Sequence, residues 1–338
     1  MNNKRIVFSR PNVAELVDTC VKEPSADEVQ VRLFVSTISS GTERANLMGS
    51  KTTSWKVPEA EQAVFPRYAG YSSAGVVLKV GENVKDIAVG DRVALSWSTH
   101  THVLNINKSR VTKIGNIDFK DAALFHISIF PLAAIRKCRL EIGESAIVMG
   151  MGVLGLCALS LLKAAGAAPI IAVDPNPLKR EKALKSGADF ALDPFSPDFA
   201  ETAKRITNGG AKVGIEVTGI GAGLDGILDC MARFGRVALL GCTRSSDFSI
   251  DYYRKVHGPG ITLVGAHTDA RPNADSSGGW WTQADDMQAV MKLHEMGRLK
   301  LSSLVDETHS PEKATEIYNR LCNDKTFPIV QFDWSVLK

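Results

Sequence analysis

Three glycines in the order G-x-G-x-x-G, Gly150-Met151-Gly152-Val153-Leu154-Gly155, follow the apolar run Ala146–Met149 and open an apolar stretch reaching Ala165. Asp174 ends the next apolar run, Ile170–Val173, and lies 19 residues beyond Gly155. A strand, a tight turn and a helix at this spacing can hold a dinucleotide. Gly150 permits the turn, Gly152 lets the backbone approach a pyrophosphate, and Gly155 allows close packing of helix on strand. The N–H groups that start the helix, those of Val153 and Leu154, offer donors and a positive dipole end to the phosphates. Asp174 can accept hydrogen bonds from both adenosine ribose hydroxyls, and its charge opposes a 2′-phosphate. The cofactor expected is therefore NAD(H) rather than NADP(H), a preference softened by Lys179 and Arg180 close behind. Thr218, Gly241 and Ala266 fall at the ends of later strands, where an open α/β sheet binds its ligand. With Lys179 they complete the expected cofactor-binding set.

Other residues suggest chemistry less directly. His100-Thr101-His102 would put two imidazoles on one face of a strand, a potential metal pair. Nothing near it in sequence completes a tetrahedral set, so the favoured reading is two polar histidines near a strand start. Gly265-Ala266-His267-Thr268 and Gly279-Trp280-Trp281-Thr282 could contribute to a substrate site, with the indoles as a platform for a sugar or cyclitol ring. The indoles could equally pack at a subunit interface or in the core, and that is the favoured reading. The six cysteines, at 20, 138, 157, 230, 242 and 322, form no C-x-x-C and suggest neither a zinc ribbon nor a disulfide scaffold.

The elements that must position these residues fall into two patterns along the 338 residues. Up to about residue 115 the chain reads as short strands, such as the alternating Glu28–Val35, Gly75–Gly81 and Gly90–Leu95. Phe119–Ala134 reads as a helix with Asp118 as N-cap and Pro131 kinking or ending it. From Ser145, strand-like runs (Ala146–Met149, Ile170–Val173, Phe190–Leu192, Val213–Val217, Arg236–Leu240, Ile261–Val264) alternate with helical ones (Leu154–Ala165, Leu178–Lys185, Phe199–Thr207). That alternation predicts a doubly wound parallel sheet. A helix over Pro311–Leu321, capped by Ser310, and a strand over Ile329–Phe332 close the chain. Ala146–Leu162 approaches the length of a membrane span, but its glycines and strand-like start favour a buried strand, turn and helix. Forty Lys and Arg against 37 Asp and Glu leave a net charge of +3, too little to argue for nucleic acid or an anionic membrane. The N-terminal MNNKRIVFSRPN lacks the apolar stretch of a signal peptide, and a reduced, cytoplasmic protein is expected.

The order of these parts resembles the medium-chain dehydrogenase/reductase family, the zinc-type alcohol and polyol dehydrogenases and their relatives. Glu28–Arg32 resembles its "EVLVRV" strand, Ser40-Gly41-Thr42-Glu43 its "CGTD", and Gly70-Tyr71-Ser72-Ser73-Ala74-Gly75 its "GHExxG". Val89–Val93 matches "xGDRV", Ala122–His126 resembles the segment of the third metal ligand, and Gly150–Gly155 is the nucleotide fingerprint. The resemblance implies a Rossmann domain inserted in a GroES-like β-barrel catalytic domain. The expected boundaries are 1–125 for the catalytic domain, 126–295 for the NAD-binding domain and 296–338 for the C-terminal return. It implies a homodimer or homotetramer paired through the strand at Ile261–Val264, and a small-molecule substrate as the partner.

Where the family holds its catalytic zinc with Cys, His and a further Cys, Asp or Glu, this chain has Ser40, Tyr71 and His126, and Ser72 replaces the acidic residue. Ser96–Ile106 contains none of the structural-zinc cysteines. No metal is expected at either site. His126, Tyr71 and Thr42 then become the candidates for proton transfer and oxyanion stabilisation, and Ser40, His100, His267 and Trp280 the candidates for binding substrate. The function implied is a zinc-independent NAD(H) oxidoreductase acting on a secondary alcohol of a sugar, polyol or cyclitol. The alternatives are a zinc-free reductase of an activated C=C bond or quinone, and a nucleotide-binding protein without catalysis.

Overall fold

The computed structural model describes residues 2–52, 55–56, 63–244, 248–324 and 326–337. The chain divides into two compact units, one of Met1–Ile127 with Lys300–Lys338, the other of Ser128–Leu299.

The first unit begins with β1 (Asn2–Arg10), β2 (Val13–Cys20), β3 (Glu28–Thr37), α1 (Ser40–Leu47) and β4 (Arg67–Tyr68). It continues through β5 (Ser72–Val80), β6 (Arg92–Ser96), β7 (Val103–Asn107), β8 (Val111–Lys113) and the start of α2 (Phe119–Lys137). β1 and β2 form a hairpin extended by β4. The alternation of Glu28–Val35 suggests a half-buried strand, yet β3 pairs with both β5 and β7 in the middle of a larger sheet. Even Gln30 is therefore buried, its amide bonded to the Lys22 carbonyl and to Asn105. Asp118 caps α2 as expected, accepting from the Lys120 N–H at 2.7 Å. Pro131 does not end that helix, which runs on to Lys137. Nearly every residue from Asp121 to Ile135 is buried, and that packing outweighs the loss of one hydrogen bond.

The second unit is a six-stranded, wholly parallel sheet. Its elements in chain order are β9 (Ala146–Met149), α3 (Val153–Ala164), β10 (Ile170–Val173), α4 (Pro177–Lys185), β11 (Phe190–Leu192), α5 (Phe199–Ile206), β12 (Ala211–Glu216), α6 (Gly221–Asp229), β13 (Met231–Leu239), β14 (Thr262–Gly265) and α7 (Gln283–Glu295). The strand order is β11-β10-β9-β12-β13-β14, so the winding reverses at β9 and opens a crevice beyond its C-terminal end. Ile147, Ile171, Val213, Ile215 and Val237 are wholly buried, as strands covered on both faces require. The apolar run from Ala146 resolves into β9, a turn and α3. Among the described residues no helix is long and apolar enough to cross a membrane.

After residue 300 the chain returns to the first unit as β15 (Glu307–His309), α8 (Ala314–Asn323) and β16 (Val330–Asp333). A 3-10 turn over Pro311–Lys313, capped by Ser310, precedes α8. β16 pairs with β3, completing the order β15-β16-β3-β5-β6-β8. Tyr318, Phe332 and Trp334 thereby enter the core around Ile6, Phe8 and Leu33. The β-rich unit and the doubly wound sheet expected from the sequence are both present.

Candidate active site

In the second unit the turn after β9 is fixed from both sides. Gly150 has φ +102°, a conformation that side chains disfavour, and its N–H donates to the Val173 carbonyl at 2.8 Å. A Cβ on Gly155 would lie 1.9 Å from the Gly150 carbonyl oxygen, so α3 packs directly on the turn. Around Gly152, by contrast, nothing lies within 4 Å of the place a Cβ would take. Gly152 is the N-cap of α3 and supplies no side-chain bond, so the N–H groups of Val153 and Leu154 have no intrahelical acceptor. Open space and orphan donors are what an incoming pyrophosphate needs.

Asp174, buried at the end of β10, accepts from the Met151 N–H at 2.8 Å with one oxygen and from the Asn176 N–H at 2.9 Å with the other. The carboxylate is thus locked to the glycine turn while each oxygen keeps a lone pair for a ribose hydroxyl. Lys179 is partly buried on α4. Arg180 is turned back through Nη1, which donates to the Asp174 and Pro175 carbonyls and to Asp193. Thr218 joins this group, its methyl 2.9 Å from the place a Cβ on Gly150 would take. It is held by Glu216, whose carboxyl accepts from the Thr218 N–H and hydroxyl and from the Gly219 N–H. Burial pushes the Glu216 carboxyl above the ordinary carboxylate range. Gly241 donates its N–H to the Glu216 carbonyl and Ala266 donates to that of Leu239, so both lie at strand ends on the same side of the sheet.

In the first unit three rings converge. Tyr71 and His126 meet edge to face with centroids 5.8 Å apart, and Trp97 meets His126 at 4.7 Å and Tyr71 at 5.9 Å. His126, on α2, is 1% exposed, whereas Tyr71 is partly exposed and Trp97 is 37% exposed. The Tyr71 hydroxyl donates to Ser39 Oγ. Ser39 is the N-cap of α1, whose first turn carries Ser40 and Thr42. Ser72, at the family's acidic position, donates its hydroxyl to the Ala123 carbonyl at 2.7 Å. Thr37 does the same at 2.9 Å, fixing α2 one turn before His126. Trp97 escapes sequence reasoning because nothing local marks it. Its φ of +58°, rare for a bulky residue, shows only in the folded backbone.

Three other expected residues have different settings. His100 and His102 do not share a strand face: Thr101 forms an isolated bridge with Arg5, and β7 starts only at Val103. His100 is wholly buried, with Nδ1 on Ser36 and Nε2 on Glu43, and offers no surface to a substrate. The backbone here bonds to Ile6, Ala69, Lys4 and Leu33, and partners equally remote in sequence claim the ring. His267 is exposed, with Nδ1 accepting from the Asp269 N–H. One face of Trp280 is covered by the Lys137 ammonium at 5.0 Å and one face of Trp281 by the Arg136 guanidinium at 3.6 Å. Burial, with Arg271 nearby, pulls the Lys137 amine down to about 8. Among the described residues, no three His, Cys, Asp or Glu side chains are grouped as a metal ion would need.

Comparison with known proteins agrees with this architecture. Residues 27–123 match the family described as Alcohol dehydrogenase GroES-like domain, and residues 153–274 match Zinc-binding dehydrogenase. Over 334 aligned residues the chain is 26% identical to D-guloside 3-dehydrogenase of Escherichia coli (strain K12), covering 93% of this chain and 95% of that protein. It is 28% identical to L-threonine 3-dehydrogenase of Pyrococcus furiosus, covering 94% of each. The crystal structure of galactitol-1-phosphate dehydrogenase from Escherichia coli superposes with a TM-score of 0.84 at 17% identity, over 98% of this chain and 99% of that one.

Proposed function

From a chain that belongs to the zinc-type, alcohol-dehydrogenase-like family of medium-chain dehydrogenases/reductases, and is accordingly an oxidoreductase using a nicotinamide cofactor, we propose a zinc-independent, NAD(H)-dependent dehydrogenase. Its substrate is a secondary hydroxyl on a sugar, polyol or cyclitol. The observation that carries this reading is a fingerprint turn locked to Asp174 in a chain whose family metal positions hold a hydroxyl and imidazole cluster. The relative named as a D-guloside 3-dehydrogenase supports the substrate class.

The donor set does not suit zinc. Ser40 and Tyr71 are neutral hydroxyls, the Ser72 hydroxyl is engaged by Ala123, and one imidazole cannot hold the ion. A nicotinamide cofactor held by the Gly150–Gly155 turn and Asp174 would supply the hydride acceptor for the carbinol carbon; the hydroxyl proton and the developing oxyanion fall to the protein. Tyr71, the more exposed of the pair, donates a hydrogen bond to that oxygen, while the Ser39 hydroxyl turns to donate to the phenol oxygen and keeps the contact. His126 behind it accepts the proton, and Thr42 orients the hydroxyl from the first turn of α1.

A panel of D-glucitol, myo-inositol and methyl guloside incubated with NAD, followed by NADH absorbance, tests the reading. Alcohol-dependent NADH formation is expected. Enone-dependent loss of NADPH, or cofactor binding without any turnover, would overturn it. Elemental analysis of protein purified without chelator is expected to give substoichiometric zinc. A full equivalent, lost together with activity on chelation, contradicts the metal-free site. Asp174→Asn keeps an acceptor for Met151 but removes the charge. It leaves the Asn176 N–H facing an amide NH2, so it is expected to lower Tm by about 2–4 °C while narrowing the gap between NADH and NADPH affinities roughly tenfold or more. Equal affinity for the two cofactors in the unaltered protein would refute the role of Asp174.

A further inference from the structure

Beneath the ring cluster lies a buried polar chain that the proposed reaction does not use. Glu43, on α1, is 2% exposed, and His100 is wholly buried. One Glu43 oxygen accepts from the Ser39 N–H at 2.7 Å; the other meets His100 Nε2 at 3.1 Å and accepts from the Tyr318 hydroxyl. His100 Nδ1 lies 2.7 Å from Ser36 Oγ, which itself accepts from the Trp334 indole N–H at 2.8 Å. The indole can only donate, so the Ser36 proton is free to point at Nδ1. The carboxylate can only accept, so Nε2 carries the imidazole hydrogen. Every polar atom in the row Trp334, Ser36, His100, Glu43, Tyr318 is thereby satisfied.

A buried carboxylate held by three donors is costly compared with packed hydrocarbon. Its placement gives it a use. The His100 N–H donates to the Ala69 carbonyl at 2.8 Å. Its ring lies so close over Gly70, which has φ +85°, that a Cβ there would fall 2.8 Å from two ring carbons. The backbone leading into Tyr71 is therefore held by His100. At the other end of the same side chain, the Tyr71 hydroxyl rests on Ser39, whose own N–H is held by Glu43.

We propose that Glu43 and His100 are positioning residues for Tyr71, the one fixing the serine that receives its hydroxyl and the other fixing the backbone that carries its ring. This rests on Tyr71 touching the reacting oxygen. The C-terminal segment braces this row through Tyr318, 275 positions from Glu43, and Trp334, 298 positions from Ser36.

Tyrosine labelled at Cζ gives a readout that needs no substrate. The chain has five tyrosines, and the Tyr71 resonance is the one lost in Tyr71→Phe. Glu43→Gln and Ser39→Ala are expected to shift the Tyr71 line while leaving those of Tyr68, Tyr252 and Tyr253 in place. Ser39→Ala also guards against misfolding, because the Ser39 side chain makes no cap bond to α1. His100→Gln retains a donor for Glu43 and is expected to restore more of the Tyr71 signal than His100→Leu. An unmoved Tyr71 line in Glu43→Gln, or in His100→Leu, would overturn the proposal; Ser39→Ala, which removes the partner itself, sets the size of the shift to be seen. In turnover of the active panel alcohol, Glu43→Gln and Ser39→Ala are each expected to lower kcat ~10-fold or more, and to change it little in a Tyr71→Phe background. Losses that multiply instead indicate a general structural role and refute positioning through Tyr71. Full turnover by Tyr71→Phe itself would refute the catalytic reading, a result separable from failure of the Glu43 and His100 variants alone.

Discussion

Gly155→Val is expected to abolish NADH binding and to lower Tm by about 5–10 °C, from roughly 3 kcal/mol of overpacking. Even the first side-chain carbon would lie 1.9 Å from the Gly150 carbonyl oxygen and 3.0 Å from its carbon. No rotamer relieves a contact between two backbones, so α3 must move off β9. The Gly150 turn, the Met151 N–H on Asp174 and the orphan donors of Val153 and Leu154 move with it. Gly152→Ala supplies the contrast. Gly152 has φ −83° and nothing within 4 Å of its missing side chain, so the fold accepts alanine. A methyl there occupies the space assigned to the pyrophosphate. Its expected signature is weakened NADH binding, read by fluorescence titration, at an unchanged Tm. If Gly152→Ala binds NADH as tightly as the unaltered protein, the phosphates do not sit at this turn.

The second large effect is on chemistry rather than binding. Tyr71→Phe and His126→Ala are each expected to lower kcat by ~10²–10⁴-fold, the usual range for loss of a general acid or base. Tyr71→Phe removes one hydroxyl and its bond to Ser39 while leaving the ring against His126 and Trp97. Its effect therefore isolates the phenol's proton. His126→Ala also opens space beside Trp97, so its Tm must be measured alongside kcat. NADH affinity is expected to stay within about twofold in both, because the fingerprint turn and Asp174 belong to the other compact unit. Near-full turnover in both variants, with normal melting, would place proton transfer on other residues.

Much of this protein is written locally in its sequence. The glycine spacing from Gly150 to Gly155, the apolar runs of the parallel strands and Asp174 at the end of the next strand are short-range patterns. They persist because strand, turn and helix each follow from a few neighbouring residues. The same holds for the Asp118 and Ser310 caps. The tertiary structure decided what depends on distant partners. His100 reads as a polar histidine near a strand start, and only the fold shows that Glu43, 57 residues away, and Ser36 hold its two nitrogens. Pro131 reads as a kink or an end, and only the burial around it shows why α2 runs on to Lys137. That Lys137 lies over Trp280 and Arg136 over Trp281 has no counterpart in the local pattern of either indole. Periodicity reports which way a residue faces. Which side chain meets it there is set by how remote segments of the chain pack, and no spacing along the sequence encodes that.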